Sequence, residues 1–232
     1  MSSDLKIQNM NHEKSTAHPL RHDFLPDPSA CFRMLCIGSS HAGKTMCCLN
    51  IFSKKDFGLK QYYDDGRDIF VISPTINLDR AGWKMLDLSE HQIMSEYDES
   101  LIKEIMEYSR HKSKNGCLLI CDDLVNNSKA FNAHKASLLD DLFMSGRHFR
   151  MSILILSQFC KSLTPKMRAN ATHLVVFRLG NVKERSSFLD DQADVPQIEE
   201  RYSYCTDEKY SFIYINKVPN PVRVFKCFEE EV

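Results

Sequence analysis

Residues 38–45 read Gly-Ser-Ser-His-Ala-Gly-Lys-Thr, matching G-x-x-x-x-G-K-[ST] at Gly38, Gly43, Lys44 and Thr45. Residue types at this spacing are suited to holding phosphate. The backbone N–H groups of Gly38, Ser39, Ser40, His41, Ala42 and Gly43 can wrap phosphate oxygens only if no Cβ obstructs the turn at the glycines. Lys44 then reaches the β and γ phosphates as a point charge, and the Thr45 hydroxyl ligates Mg²⁺. At average composition a chance match in a chain of this length has a probability on the order of 1%. Context lowers it further, because an apolar run precedes the loop directly and the helical stretch starting at Lys44 follows it.

A phosphate loop needs a second group to organise the metal. The segment Cys117-Leu118-Leu119-Ile120-Cys121-Asp122-Asp123 supplies an apolar strand ending in two carboxylates. Asp122 is expected in the Mg²⁺ shell, and Asp123 beside the γ-phosphate, where it orients or deprotonates the attacking water. The next apolar run, Met151 to Leu156, ends in Ser157-Gln158. In a parallel sheet its tip falls beside the same crevice, where the Gln158 amide can donate and accept at once. Without the loop upstream, two Asp after an apolar run would read as an ordinary strand end, and Gln158 as a strand cap. Asn181-Val182-Lys183-Glu184 is not the Asn-Lys-x-Asp that specifies guanine, so the expected nucleotide is ATP.

These groups need a scaffold. Apolar runs at 32–37, 68–73, 117–121, 152–156 and 173–179 alternate with helical periodicity at 44–55, 90–110, 134–146 and 183–190. Runs apolar on successive residues suit strands buried on both faces of a parallel sheet, and the alternation predicts an α/β fold with helices on both faces. Segments 210–218 and 222–228, separated by Pro219-Asn220-Pro221, predict an antiparallel hairpin at the sheet edge. The strand at 68–73, between loop and acid strand in the chain, favours the additional-strand class of such folds. Residues 1–30 are polar without sustained apolar periodicity and are expected to be a flexible arm; residues 31–232 form the expected nucleotide-hydrolysing domain.

The chain has 232 residues, 43% hydrophobic and 26% charged, enough for a sizeable core. Thirty Lys and Arg against 31 Asp and Glu leave a net charge of −1, so any nucleic-acid contact must be local. No apolar run approaches the roughly 18 residues of a membrane span, and there is no signal-peptide core. Nine Cys, an odd number without a Cys-x-x-Cys pair, suit reduced thiols in an intracellular, soluble protein.

Two arginines lack an evident local role. Arg147, in Gly146-Arg147-His148, and Arg168, in Arg168-Ala169-Asn170, each precede a strand and so lie at the edge away from their own phosphates. Either is a surface ion-pair residue or a group that reaches a neighbour's nucleotide in a ring. Arg110, His111, Lys112 and Lys114 read as a solvated connection, with a DNA-touching loop as the alternative. His18, His22, Cys31 and Cys36 fit no standard zinc spacing, and Trp83 reads as core.

Taken in order, GSSHAGKT, LLICDDL, SGRHFRMSILILSQ and MRANATHLVVF resemble the FtsK/HerA superfamily of DNA-pumping ATPases, and within it the poxvirus-type genome-packaging ATPases of large DNA viruses. The resemblance covers about residues 31–180. It implies a RecA-like P-loop fold in which Arg147 is the trans arginine finger, Gln158 the strand-end polar sensor, and Asp122 with Asp123 the Walker-B pair. Many members carry Glu where this chain has Asp123, one methylene shorter. The function so implied is an ATP-hydrolysing translocase that packages viral double-stranded DNA as a homo-oligomeric ring, with a capsid or portal partner at the virus assembly site. The alternatives are a nucleotide kinase, for which no Arg-rich lid is evident, and a nucleotide-gated assembly protein.

Overall fold

Consecutive apolar residues in the strands are divided between two faces. Leu35 and Ile37 join one buried cluster with Leu119, Cys121, Ile153 and Ile155, whereas Met34 and Cys36 join another with Leu118, Ile120, Leu154 and Leu156. A sheet covered on both sides requires this, because successive side chains point to opposite faces. The computed structural model describes residues 22–54, 57, 59–76, 80–124, 130, 131 and 137–232. Among them the strands are β1 (Arg33–Ile37), β2 (Ile69–Ile72), β3 (Ile93–Met94), β4 (Cys117–Asp122), β5 (Met151–Ser157), β6 (His173–Phe177), β7 (Phe212–Asn216), β8 (Arg223–Lys226) and β9 (Glu230–Glu231). The helices are α1 (Lys44–Ser53), α2 (Leu59–Tyr62), α3 (Arg80–Trp83), α4 (Glu99–His111), α5 (Leu138–Ser145), α6 (Pro165–Asn170), α7 (Val182–Asp191) and α8 (Ile198–Cys205).

The nine strands form one sheet in the order β3-β2-β4-β5-β1-β6-β7-β8-β9. Pairings from β3 through to β6 are parallel, and β6-β7, β7-β8 and β8-β9 are antiparallel. The fold is therefore the α/β fold with an antiparallel C-terminal edge that the sequence predicts. The strand that separates β1 from β4 in space, however, is β5, not the strand at 68–73 that separates them in the chain. This places the tip of β5 between the loop and the acid pair.

Three expectations are corrected. Residues 22–30 are not a free arm. Phe24 is buried against Phe225 at 5.0 Å between ring centroids, and Tyr214 Oη and Asn216 Nδ2 donate to its carbonyl at 2.7 and 3.1 Å. Residues 1–21 lie outside the described set. The helix expected over 90–110 begins at Glu99, capped by Asp98, whose carboxylate accepts from Ser100 N at 2.8 Å. Before it, the buried Gln92 amide donates to Gly66 O at 2.8 Å and Ile69 O at 2.6 Å, which pins 93–94 against β2 as a short strand. The helix expected over 134–146 begins at Leu138, where Ser137 Oγ accepts from Asp140 N at 3.1 Å; residues 134–136 lie outside the described set. None of the nine cysteines is paired, and among the described residues no helix is long and apolar enough to cross a membrane.

Candidate active site

The loop leaves β1 at Gly38, whose N–H donates to Ser157 O at 3.1 Å on the tip of β5. A Cβ on Gly38 would stand 2.8 Å from Phe177 Cβ, so the close approach of loop and β6 needs glycine there. Gly43 caps α1 with φ +103°, a left-handed conformation that a side chain disfavours. Helix α1 then begins at Lys44, and its free N–H groups add positive potential at the loop. Ser39, Ser40 and His41 are exposed, while Ala42, Gly43, Lys44 and Thr45 are half-buried. Lys44 Nζ donates to Gly38 O at 2.7 Å and Ser39 O at 2.9 Å, curling along the loop. Burial lowers the Lys44 pKa, opposed by the carboxylates of Asp122 and Asp123. Lys44 therefore lies within the electrostatic reach of both acids.

Asp122 is the last residue of β4 and is 6% exposed. Ser73 Oγ, at the tip of β2, donates to Asp122 Oδ2 at 3.4 Å and lies 3.2 Å from Thr75 Oγ1. Asp123 leaves the strand with φ +54°, its N–H donating to Leu156 O at 3.4 Å. This turn sends its side chain toward β5, where Gln158 Nε2 donates to Asp123 Oδ1 at 2.9 Å. Loop, acid pair and glutamine thus converge at the C-terminal edge of the parallel strands, the edge where α/β sheets bind ligands. The Ser73 and Thr75 hydroxyls belong to no motif in the sequence. Their signal was position, since they follow a buried strand whose tip lies on this edge.

A Mg²⁺ ion suits this donor set. Asp122 and Thr45 offer one carboxylate and one hydroxyl, and magnesium commonly takes one or two protein oxygens with phosphate and water completing the octahedron. Among the described residues no group of three or more His, Cys, Asp or Glu could hold a metal ion by itself.

The two arginines separate. Arg168 is half-buried, its Nε 2.9 Å from Asp191 Oδ2 on α7 and its Nη1 donating to Cys160 O at 3.4 Å, so its guanidinium is held by groups of its own chain. Arg147 is exposed in the turn over Gly146–Phe149, at the end of β5 opposite Gln158. Its charge lowers the pKa of Arg33 at the start of β1, although burial has the larger effect there. The basic stretch 110–114 closes α4 at this same edge, where Arg150 donates to Ser113 O at 3.1 Å and to Lys114 O.

The chain resembles known proteins in both sequence and fold. It is 30% identical over 168 residues to the DNA packaging protein OPG160 of variola virus, covering 69% of this chain and 57% of that protein. It is 30% identical over 156 residues to OPG160 of vaccinia virus (strain Copenhagen), covering 64% of this chain and 53% of that protein. The matched region thus spans little more than half the length of these relatives. The genome packaging NTPase B204 of Sulfolobus turreted icosahedral virus 2, solved with AMPPCP, superposes with a TM-score of 0.59 at 15% identity, over 86% of this chain and 98% of B204. The same protein solved with AMP gives 0.61 at 14% identity, again over 86% and 98%. These superpositions show a shared P-loop NTPase fold. Residues 27–186, more than half of the chain, match the profile of the poxvirus A32 protein, and the chain belongs to that family.

Proposed function

We propose that the chain is an ATP-hydrolysing translocase that packages viral double-stranded DNA, acting as a homo-oligomeric ring at the virus assembly site against a capsid or portal protein. The observation that carries hydrolysis is the 2.9 Å bond from Gln158 to Asp123 beside the Lys44 loop. It holds one carboxylate oxygen in a fixed direction at the crevice where a γ-phosphate would end. Family membership and the packaging role named for the variola relative support DNA as the polymer moved.

In this reading the N–H groups of residues 38–43 and the start of α1 bind the phosphates, and Lys44 neutralises the β and γ oxygens. Thr45 and Asp122 would hold Mg²⁺, which would supply neutralisation of the charge on those oxygens. Asp123 orients the attacking water and accepts its proton, and Gln158 keeps that carboxylate aimed while sensing the γ-phosphate. Arg147 completes the site of the neighbouring subunit.

The test is the ATPase rate with and without duplex DNA, alongside the mass in solution. DNA-stimulated turnover by a ring supports the translocase. Unstimulated turnover of a monomer, or phosphoryl transfer to a second nucleotide, would favour the assembly-protein or kinase alternatives.

A further inference from the structure

At the edge of the sheet opposite the phosphate loop, the chain leading into β1 and the turn that follows β7 enclose a cavity of about 360 Å³. Leu25, Phe32 and Val218 give it apolar walls, and Arg33, Arg147 and Arg223 bring three cations to it. The volume falls within the roughly 300–1,000 Å³ of small-molecule sites.

The three cations differ in their partners. Arg223 is bound by carboxylates, Asp23 at 3.1 Å and Glu231 at 2.8 and 2.9 Å. Asp27, the other acid on the wall, accepts from Ser29 N at 2.9 Å and Ser29 Oγ at 2.6 Å. Arg33, the first residue of β1, is half-buried, and its Nε is buried without a hydrogen-bond partner. Burial, and after it the like charge of Arg147, lower the Arg33 pKa, and among the described residues no carboxylate offsets them. Buried donors in native proteins are nearly always paired. Two neighbouring guanidinium groups in a partly desolvated cavity therefore call for an oxyanion that this chain's side chains do not supply.

We infer that this cavity is a second ligand site, in which Arg33 and Arg147 take the phosphate group of a small phosphomonoester. The guanidinium fork matches phosphate oxygens, and a monoester near pH 7 carries a charge of about −1.5 to −2, close to that of the two arginines with the sign reversed. A carboxylate brings only half of it. Leu25 and Phe32 offer contact to an organic group, which favours the ester over the free ion. The site stands at the far ends of β1 and β5 from the phosphate loop and uses none of its residues, so it is independent of the hydrolytic reading.

The test titrates phenyl phosphate, inorganic phosphate and benzoate calorimetrically into the unaltered chain, Arg33→Gln, Arg147→Gln and Lys44→Ala. Lys44→Ala separates this site from the phosphate loop and is expected to bind phenyl phosphate within about twofold of the unaltered chain. Arg33→Gln and Arg147→Gln are each expected to weaken it about tenfold or more, the size of a lost hydrogen bond to a charged group. Benzoate, with one charge, should bind more weakly than phenyl phosphate. Without ligand, Arg33→Gln should keep or raise the thermal transition, because it removes a cation that nothing in the fold pairs; Arg147→Gln, at an exposed position, carries the test if Arg33→Gln does not fold. Phenyl phosphate affinity unchanged in the arginine variants, or lost in Lys44→Ala, would overturn the site. Inorganic phosphate binding as tightly as phenyl phosphate would overturn the ester in favour of the free ion.

Discussion

Gln158 Nε2 donates to Asp123 Oδ1 at 2.9 Å, tying the tip of β5 to the tip of β4 although 35 residues separate them in the chain. The bond holds the carboxylate that we assign to water activation, and the glutamine that holds it lies on the strand next to the phosphate loop. Asp123→Asn is therefore expected to keep ATP bound while lowering kcat by about 10² to 10⁴, the usual contribution of general-base catalysis. Gln158→Ala should lower kcat in the same direction with ATP affinity retained. Equilibrium ATP binding beside single-turnover rates checks both, and loss of ATP binding in Asp123→Asn would move that residue into the metal shell.

Lys44 places its ammonium along the loop, 2.7 Å from Gly38 O and 2.9 Å from Ser39 O. Lys44→Ala should weaken ATP binding or abolish turnover and leave the thermal transition of the fold in place. A near-normal kcat in this variant would remove the phosphate-loop reading. Chelating divalent cations with EDTA should likewise stop turnover of the unaltered chain.

Arg147 and Gln158 stand at opposite ends of β5, whose seven residues span about 23 Å at roughly 3.3 Å per residue. That exceeds the reach of an arginine, so Arg147 is out of reach of an ATP bound at the phosphate loop of its own chain. In a head-to-tail ring this edge would face a neighbour's phosphates. Arginine fingers contribute about 10³ to 10⁵ in rate, and Arg147→Ala should silence hydrolysis with little change in ATP affinity. Mixing it with Lys44→Ala should restore part of the activity, because some interfaces then pair an intact loop with an intact finger. No recovery despite demonstrated co-assembly would count against a finger in trans.

His173, at the start of β6, is 2% exposed, lies parallel to the Tyr214 ring at 6.1 Å, and places Nδ1 2.9 Å from Thr172 Oγ1. Burial, with a smaller contribution from the Arg33 charge, pulls its pKa down to about 3. The unfolded chain binds a proton near pH 6.5 that the folded chain refuses, so stability is fully present above that pH and declines as pH falls toward 3. The loss approaches ~1.4 kcal/mol per pH unit within this window. Urea midpoints at pH 7 and pH 5 should differ more for the native chain than for His173→Gln, and equal shifts would show that His173 is not the source.

What the sequence determined by itself is local. The Gly38–Thr45 motif, the apolar strand ending at Asp122, and the start of α1 at Lys44 are contiguous, and their chemistry depends on spacing along the chain. The strands were also legible, since a strand covered on both faces needs an unbroken apolar run, as Leu118 and Leu119 show by packing on opposite sides. Everything that depends on which strand lies beside which was left to the tertiary structure. The insertion of β5 between β1 and β4 is a property of sheet order, and only that order brings Gln158 to Asp123. The same holds for Arg168, whose freedom ends at Asp191, 23 residues away, and for Phe24, which reads as part of a polar arm until Phe225 and Tyr214 are placed against it. Such contacts join residues distant in sequence, and a single chain carries no periodicity that encodes them; their partners are chosen by packing the sheet and its two covering layers as a whole.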